Sequence, residues 1–147
     1  MKIISRWFFI ALLPIASAFA ESSETVGHIQ TLQGQAFIQR AGTTLPAAIG
    51  AELRKSDQIR TGKPAAVGIV LTDDTTISLG SNSELSLSDY AFEPKQSKFA
   101  LSLKMIKGTF SYITGQIVKL SPDSARIQTP DATIAVRGTK LLVEIKD

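Results

Sequence analysis

The sequence predicts an all-β protein with a single domain, and three observations lead to that prediction. Apolar and polar residues alternate at a period of two along most of the chain. Gly, Pro, Asp, Asn and Ser interrupt the alternation at intervals of about six to fourteen residues. No long segment has the apolar spacing of an amphipathic helix. We therefore expect short strands of about four to seven residues, arranged as a β-solenoid-like coil or a twisted β-sandwich, which periodicity alone does not distinguish.

The first twenty residues have the pattern of a secretory signal peptide. Lys2 and Arg6 give a positively charged start, residues 7–15 give a short apolar core, and Ala18-Phe19-Ala20 is a small-residue cleavage site. The apolar core is too short to cross a bilayer. We therefore expect cleavage after Ala20 and one domain spanning residues 21–147. We expect that domain to be periplasmic or secreted, with no stable membrane insertion.

The remaining chain divides into strands separated by turns. Its Val, Ile and Thr content favours extended backbone. The most polar internal stretch, residues 92–98, is expected to form an exposed loop between two groups of strands. The predicted strands centre on residues 26–31, 37–38, 67–71, 77–79, 85–87, 99–105, 110–112, 117–120, 134–136 and 141–145.

Composition excludes several classes of function. The 16 Lys and Arg residues exceed the 13 Asp and Glu residues. Two of the basic residues, Lys2 and Arg6, leave with the signal peptide, so the mature chain has 14 against 13. Its basic residues are scattered, whereas nucleic-acid binding needs a basic patch, so we expect no nucleic-acid partner. The chain has no Cys, which excludes disulfides, Cys-ligated zinc and thiol catalysis.

Two threonine-containing pairs, Thr61-Gly62 and Thr129-Pro130, interrupt apolar stretches of the chain. Proline fixes its own φ and keeps the preceding residue extended, while glycine permits positive φ. Both pairs are therefore interpreted as strand stops. In Arg137-Gly138-Thr139, we expect Gly138 to lie in a bulge or at a close backbone approach. Arg137 is expected to pair with a carboxylate or a strand-end carbonyl rather than to bind an anion.

Residues with potential chemistry are few. His28 is the single histidine, and no G-x-S-x-G motif accompanies it. Asp73-Asp74 is read as a turn that caps its own backbone, because a calcium loop needs more oxygen ligands at regular spacing. Phe110 and Tyr112 share one side of a strand and are read as core rather than as a stacking platform. We expect no catalytic, metal-binding or cofactor-binding residues and no cofactor, and the binding residues stay unassigned.

Several segments together resemble the FecR-type periplasmic domain of bacterial iron-transport regulators. They are D-Q-I-R-T-G at residues 57–62, V-x-I-x-L-T-D-D-T-T-I-S-L at 67–79, E-L-S-L at 84–87, L-S-L-K-x-x-K-G-T-F at 101–110 and I-Q-T-P-D-A-T-I-A-V-R-G-T at 127–139. The resemblance implies an all-β, solenoid-like fold without catalytic residues. It also implies a role in protein–protein signalling across the envelope.

The chain differs from those regulators at both ends. A cleavable signal stands where they carry an anti-sigma segment and a membrane helix. The chain also ends soon after residues 141–145, so we expect the last strand to be an open edge available to a partner strand.

Three hypotheses about function follow. The first is a non-catalytic binding or signalling module with an envelope protein as partner. The alternative is a carbohydrate- or cell-wall-binding domain that stacks sugars on Tyr90, Phe92, Phe110 and Tyr112. The third, a hydrolase, would use His28 or the Asp73-Asp74 pair.

Overall fold

A computed structural model describes residues 24–136 and 138–146. The predicted signal peptide, residues 1–20, and the expected pairing of Arg137 lie outside the described residues. The strands are β1 (Thr25–Arg40), β2 (Thr43–Pro46), β3 (Glu52–Arg54), β4 (Gln58–Leu71), β5 (Thr76–Leu79), β6 (Glu84–Glu93), β7 (Lys98–Ile113), β8 (Ala125–Gln128), β9 (Thr133–Ala135) and β10 (Lys140–Ile145). One α-helix, α1 (Gln116–Leu120), and two 3₁₀ turns (Pro94–Gln96 and Pro122–Ser124) complete the described elements.

The all-β class is confirmed, but the expectation of uniformly short strands is wrong. Strands β1 and β7 each have 16 residues and β4 has 14. The interpretation of Thr61-Gly62 as a strand stop is wrong, because β4 continues without a break from Gln58 to Leu71. Gly62 also does not have positive φ. The Thr129-Pro130 pair does follow the end of a strand, since β8 ends at Gln128.

The ten described strands form one sheet. In this sheet a long strand pairs with two shorter strands that follow one another along the same edge. Strand β4 pairs with β1 on one edge and with both β5 and β6 on the other. Strand β7 pairs with β5 and β6 as well, so these two lie end to end between β4 and β7. On its far edge β7 pairs with β10 at one end and with β8, in parallel, at the other.

The sheet doubles back on itself. Tyr90 lies six residues beyond the Arg60–Glu84 pair in one direction, and Asp73 lies thirteen residues beyond it in the other. At about 3.3 Å per residue, a flat sheet would separate them by roughly 60 Å. The Asp73 backbone N–H instead donates a hydrogen bond to the Tyr90 hydroxyl at 2.9 Å. Because the two ends meet, the sheet consists of two facing arms, as in a sandwich built from bent strands.

The bend crosses the strands at one row of positions, which we call the crease: Gly34, residues 62–64, residues 80–83 and Gly108. A β-carbon on Gly34 would lie 2.2 Å from the Pro64 carbonyl oxygen, and one on Gly108 would lie 2.5 Å from the Ser83 Cα. Only glycine fits such close backbone contacts.

Hydroxyl groups satisfy the backbone where the crease interrupts the ladder. The Thr61 hydroxyl donates to the Gly80 carbonyl at 2.6 Å and accepts from the Ser83 N–H at 2.8 Å. The Ser83 hydroxyl accepts from the Thr109 N–H at 3.1 Å. Buried backbone groups need such partners, so the bend is stabilised by short polar side chains rather than by loops.

A single apolar cluster fills the space between the arms. It takes alternate residues from every long strand, together with Ile117 and Val118 of α1. Phe110 and Tyr112 are 3% and 0% exposed, so their interpretation as core residues is confirmed. The most deeply buried members include Ile29, Leu53, Ile59, Ile69, Ile77, Leu85, Leu103 and Ile127.

The helix α1 replaces the strand expected at residues 117–120. The Ile117 N–H donates to the Asp73 carboxylate at 3.1 Å, and the Gln116 N–H donates to the Asp73 carbonyl at 2.8 Å. Helix starts need partners for their free N–H groups, and here a residue more than forty positions away supplies them. Local sequence therefore carries no sign of this helix start.

Candidate binding site between the two crossovers

Two chain segments cross between the arms on the same side of the molecule. The first, α1 with Pro122–Ser124, leads from the end of β7 to β8. The second, which includes Val136, Gly138 and Thr139, connects β9 to β10. Because β8 pairs with Leu101 and its neighbours while β10 pairs with residues up to Ile113, each segment must span from one arm to the other.

A cavity of about 680 Å³ lies between these segments, and we call it the crossover cavity. This volume is within the usual range for ligand sites. It is lined by Thr114, Val118, Lys119, Pro122, Asp123, Ala125, Arg126, Ala135, Val136, Gly138 and Thr139.

The cavity has an apolar floor and a charged rim. Val118, Ala125 and Val136 are buried, at 7%, 2% and 4% exposure. Lys119, Asp123 and Arg126 are exposed. None of these three takes part in an ion pair within residues 24–136 and 138–146. The rim therefore presents exposed charges of both signs.

Thr114 fixes the second crossover. Its hydroxyl donates to the Gly138 carbonyl at 2.7 Å, and its N–H donates to the Thr139 carbonyl at 3.0 Å. Gly138 has φ of 98°, and a β-carbon there would meet no atom of the described residues within 4 Å. Of the two alternatives expected for Gly138, the close backbone approach is therefore wrong within the described residues. Glycine suits the position because of its positive φ.

Asp73 is an internal connector. It is 0% exposed, and its carboxylate accepts from Thr75 N–H, Thr75 Oγ1, Ile117 N–H and the Tyr90 hydroxyl at 2.8–3.3 Å. Together with Thr72, whose hydroxyl lies 2.7 Å from the Tyr90 oxygen, these groups form what we call the clasp between the arms. The interpretation of Asp73-Asp74 as a backbone-capping turn fits these contacts.

Tyr90 in the clasp and Tyr112 beside it differ in their hydrogen bonding. Burial raises the pKa of Tyr90, and its hydroxyl bonds to Thr72 and Asp73. Burial also raises the pKa of Tyr112 to about 12. The Tyr112 hydroxyl lies near Thr75 and Thr114, but within the described residues it makes no hydrogen bond of good geometry.

The residues of the hydrolase hypothesis do not converge. His28 is exposed on β1 opposite Val70, whereas Asp73 is fully enclosed. Neither residue lines the crossover cavity or the cavity of about 420 Å³ beside Tyr90. In the part of the chain that the structure describes, no group of three His, Asp or Glu side chains could hold a metal ion.

The proposed sugar-stacking residues are also dispersed. Phe110 and Tyr112 are core residues, as expected, so the alternative hypothesis of sugar stacking is wrong for these two. Tyr90 and Phe92 are half-buried and line a separate cavity of about 420 Å³. There the Phe92 ring lies against Phe99, with centroids 6.2 Å apart.

Sequence reasoning missed the role of two sets of charges. Asp57, the first residue of the D-Q-I-R-T-G segment, is 1% exposed and accepts two hydrogen bonds from Arg40, at 2.9 and 2.7 Å. This bond to Asp57 raises the pKa of Arg40. The rim residues of the crossover cavity are the second set. Neither set has a local sequence signal, because the fold brings the members together.

No helix in the described part of the chain is long and apolar enough to span a membrane.

The sheet, the crease and the crossovers define an all-β domain of the kind that the sequence motifs indicate. The family model described as FecR protein matches residues 57–147, which is more than half of the chain. The chain belongs to the FecR family, a regulatory and signalling family whose domains are periplasmic and not typically enzymatic. Every residue that lines the crossover cavity lies inside the matched segment.

Other comparisons add little. No curated protein matches the chain significantly. A solved structure described as a cell surface anchoring domain is 24% identical, and the match covers 45% of this chain and 88% of that one, with a TM-score of 0.43. At that TM-score the likeness supports no conclusion about fold or function.

Proposed function

We propose that this FecR domain is a non-catalytic binding module that acts through protein–protein contacts in the bacterial cell envelope, after export and removal of residues 1–20. The observation that carries the proposal is the crossover cavity. It is built from family-matched residues and combines an apolar floor with charges that have no partner among the described residues. A partner segment with one apolar side chain and flanking charges of both signs fits this lining.

The lining favours a protein over a sugar as the partner. Among the described residues that line the cavity none is aromatic, whereas a stacking site for sugar rings needs an exposed aromatic face. In the part of the chain that the structure describes, the lining contains a single carboxylate, Asp123, and no histidine. General acid–base catalysis needs a matched pair of titratable groups, which this set does not supply.

Site-specific photo-crosslinking in living cells tests the proposal. A photoreactive residue replaces Lys119 on the rim or, as a control, Lys63, which is exposed at the crease. We expect one protein adduct of defined mass from position 119 and none from position 63. Adducts of equal yield from both positions would contradict the proposal.

A cavity-filling variant makes the test specific to the site. Ala135 is an exposed lining residue, so Ala135→Phe should occupy the cavity without disturbing the core. We expect the adduct from position 119 to disappear while export and the free energy of unfolding stay unchanged. An adduct that persists in the Ala135→Phe variant, or glycan as the captured species, would reject the crossover cavity as a protein-binding site.

A further inference from the structure

Strand β10 pairs with β7 and with no other strand among the described residues. The Thr139 carbonyl accepts from the Thr114 N–H, so the backbone groups of residue 139 face β7. In an antiparallel ladder this direction alternates from residue to residue. The backbone N–H and C=O groups of Lys140, Leu142 and Glu144 therefore point away from β7 along the other edge of β10.

We propose that this edge pairs with the same edge of a second copy of the chain, antiparallel and centred on Leu142. A two-fold axis perpendicular to the sheet then places Leu142 opposite Leu142 of the other copy. It also places Lys140 opposite Glu144, twice. All three residues with outward-facing backbone groups gain partners, and each facing pair exchanges two hydrogen bonds.

Charge complementarity selects this register. Lys140 and Glu144 make no ion pair within residues 24–136 and 138–146. A shift of the centre to Val143 would place Lys140 opposite Lys146, and a shift to Leu141 would place Lys140 opposite Leu142. Opposite charges across a strand pair stabilise it and like charges destabilise it, so only the Leu142-centred register uses both charges favourably.

Apolar exposure supports the same contact. Leu142 is 70% exposed and Ile113 is 45% exposed. Ile113 lies opposite Lys140 in the β7–β10 ladder, so it is a diagonal neighbour of Leu142 on the outer face. The proposed pairing brings both leucines together beside the two Ile113 side chains. A long, exposed apolar edge of this kind is otherwise prone to uncontrolled strand pairing.

Sedimentation of the purified exported chain across a range of concentrations tests the pairing. We expect a reversible monomer–dimer equilibrium with a dissociation constant in the micromolar range, because a single strand pair forms a small interface. Glu144→Lys places lysines opposite each other twice and should weaken the dimer at least about tenfold. The double variant Lys140→Glu/Glu144→Lys restores opposite charges and should recover the dimer.

A single introduced cysteine tests the register, since the chain has none of its own. Leu142→Cys should form a disulfide between two copies, because directly opposed residues have Cα atoms about 5.5 Å apart. Lys140→Cys places the two sulfurs four residues out of register and should stay reduced under the same conditions. A monomer at about millimolar concentration, failure of the charge-swapped variant to recover, or equal crosslinking at 140 and 142 would overturn the proposal.

Discussion

Gly108 in the crease and Gly138 in the second crossover have almost the same backbone conformation, with φ of 100° and 98°. Their surroundings are opposite. A β-carbon on Gly108 would lie 2.1 Å from the Ser83 hydroxyl, whereas one on Gly138 would meet no atom of residues 24–136 and 138–146 within 4 Å. The crease is therefore tightly packed around Gly108, while the described residues leave free space beside Gly138. Positive φ alone therefore does not indicate which glycine supports the fold and which borders a binding site.

Alanine at these two glycines gives the largest expected difference. Gly108→Ala adds strain at positive φ and a clash with the Ser83 backbone, and it should cost about 3–5 kcal/mol of unfolding free energy. Gly138→Ala adds strain alone and should cost about 1–2 kcal/mol. Urea denaturation of both variants measures the difference. Equal losses would mean that the crease is not the tightly packed bend described above.

Replacing an aspartate by asparagine should affect stability much more in the clasp than on the cavity rim. Asp73→Asn weakens the hydrogen bonds that join the Tyr90 arm to the start of α1, and it should destabilise the domain by about 2–4 kcal/mol. Asp123→Asn on the exposed rim should leave the unfolding free energy within about 0.5 kcal/mol of the parent. A large loss for Asp123→Asn would show that the rim is part of the fold rather than a free surface.

Loss of the Tyr90 hydroxyl should reduce stability more than loss of the Tyr112 hydroxyl. Tyr90→Phe removes the hydroxyl that bonds to Thr72 and Asp73, and it should cost about 1–2 kcal/mol at neutral pH. Tyr112→Phe removes a hydroxyl without a good hydrogen bond and should change stability by less than about 0.5 kcal/mol. Thermal unfolding of the two variants decides the point, and a reversed order would contradict the role given to Tyr90.

Alkaline pH gives a smaller effect. The pKa of Tyr112 is raised to about 12 in the folded protein from an ordinary value of about 10. The folded state therefore holds this proton more tightly, so stability is intact below about pH 10 and falls as pH rises towards 12. Tyr112→Phe should remove about 1 kcal/mol of that loss near pH 11. Urea titrations at pH 8 and near pH 11 measure it, and an identical pH dependence in both proteins would refute the assignment.

Much of this fold could be predicted from sequence because local patterns encode it. The period-two alternation gave the all-β class, and the turn at Asp73-Asp74 and the corner after Gln128 follow from turn chemistry. The core positions of Phe110 and Tyr112 follow from the same alternation.

The features that were missed depend on contacts between distant residues. Local sequence predicts a strand stop at Thr61-Gly62, but the Thr61 hydroxyl bonds to Gly80 and Ser83, and these contacts let β4 continue through the bend. Such contacts between distant residues have no local sequence signal. The helix α1 depends on Asp73, and the crossover cavity depends on two segments that meet only when the sheet doubles back. The sequence around Lys119 and Arg126 contains no motif that would identify them as cavity residues.

The doubling of the sheet can be tested directly by one distance. Spin labels attached at Asp74→Cys and Ser88→Cys report on the two ends of the arms, and the absence of native cysteine makes both labels unique. Because Asp73 and Tyr90 are in contact, we expect a mean separation below about 25 Å, whereas an extended sheet would place these positions roughly 60 Å apart. A distribution centred beyond about 45 Å would contradict the facing arms, and with them the crease, the clasp and the cavity between the crossovers.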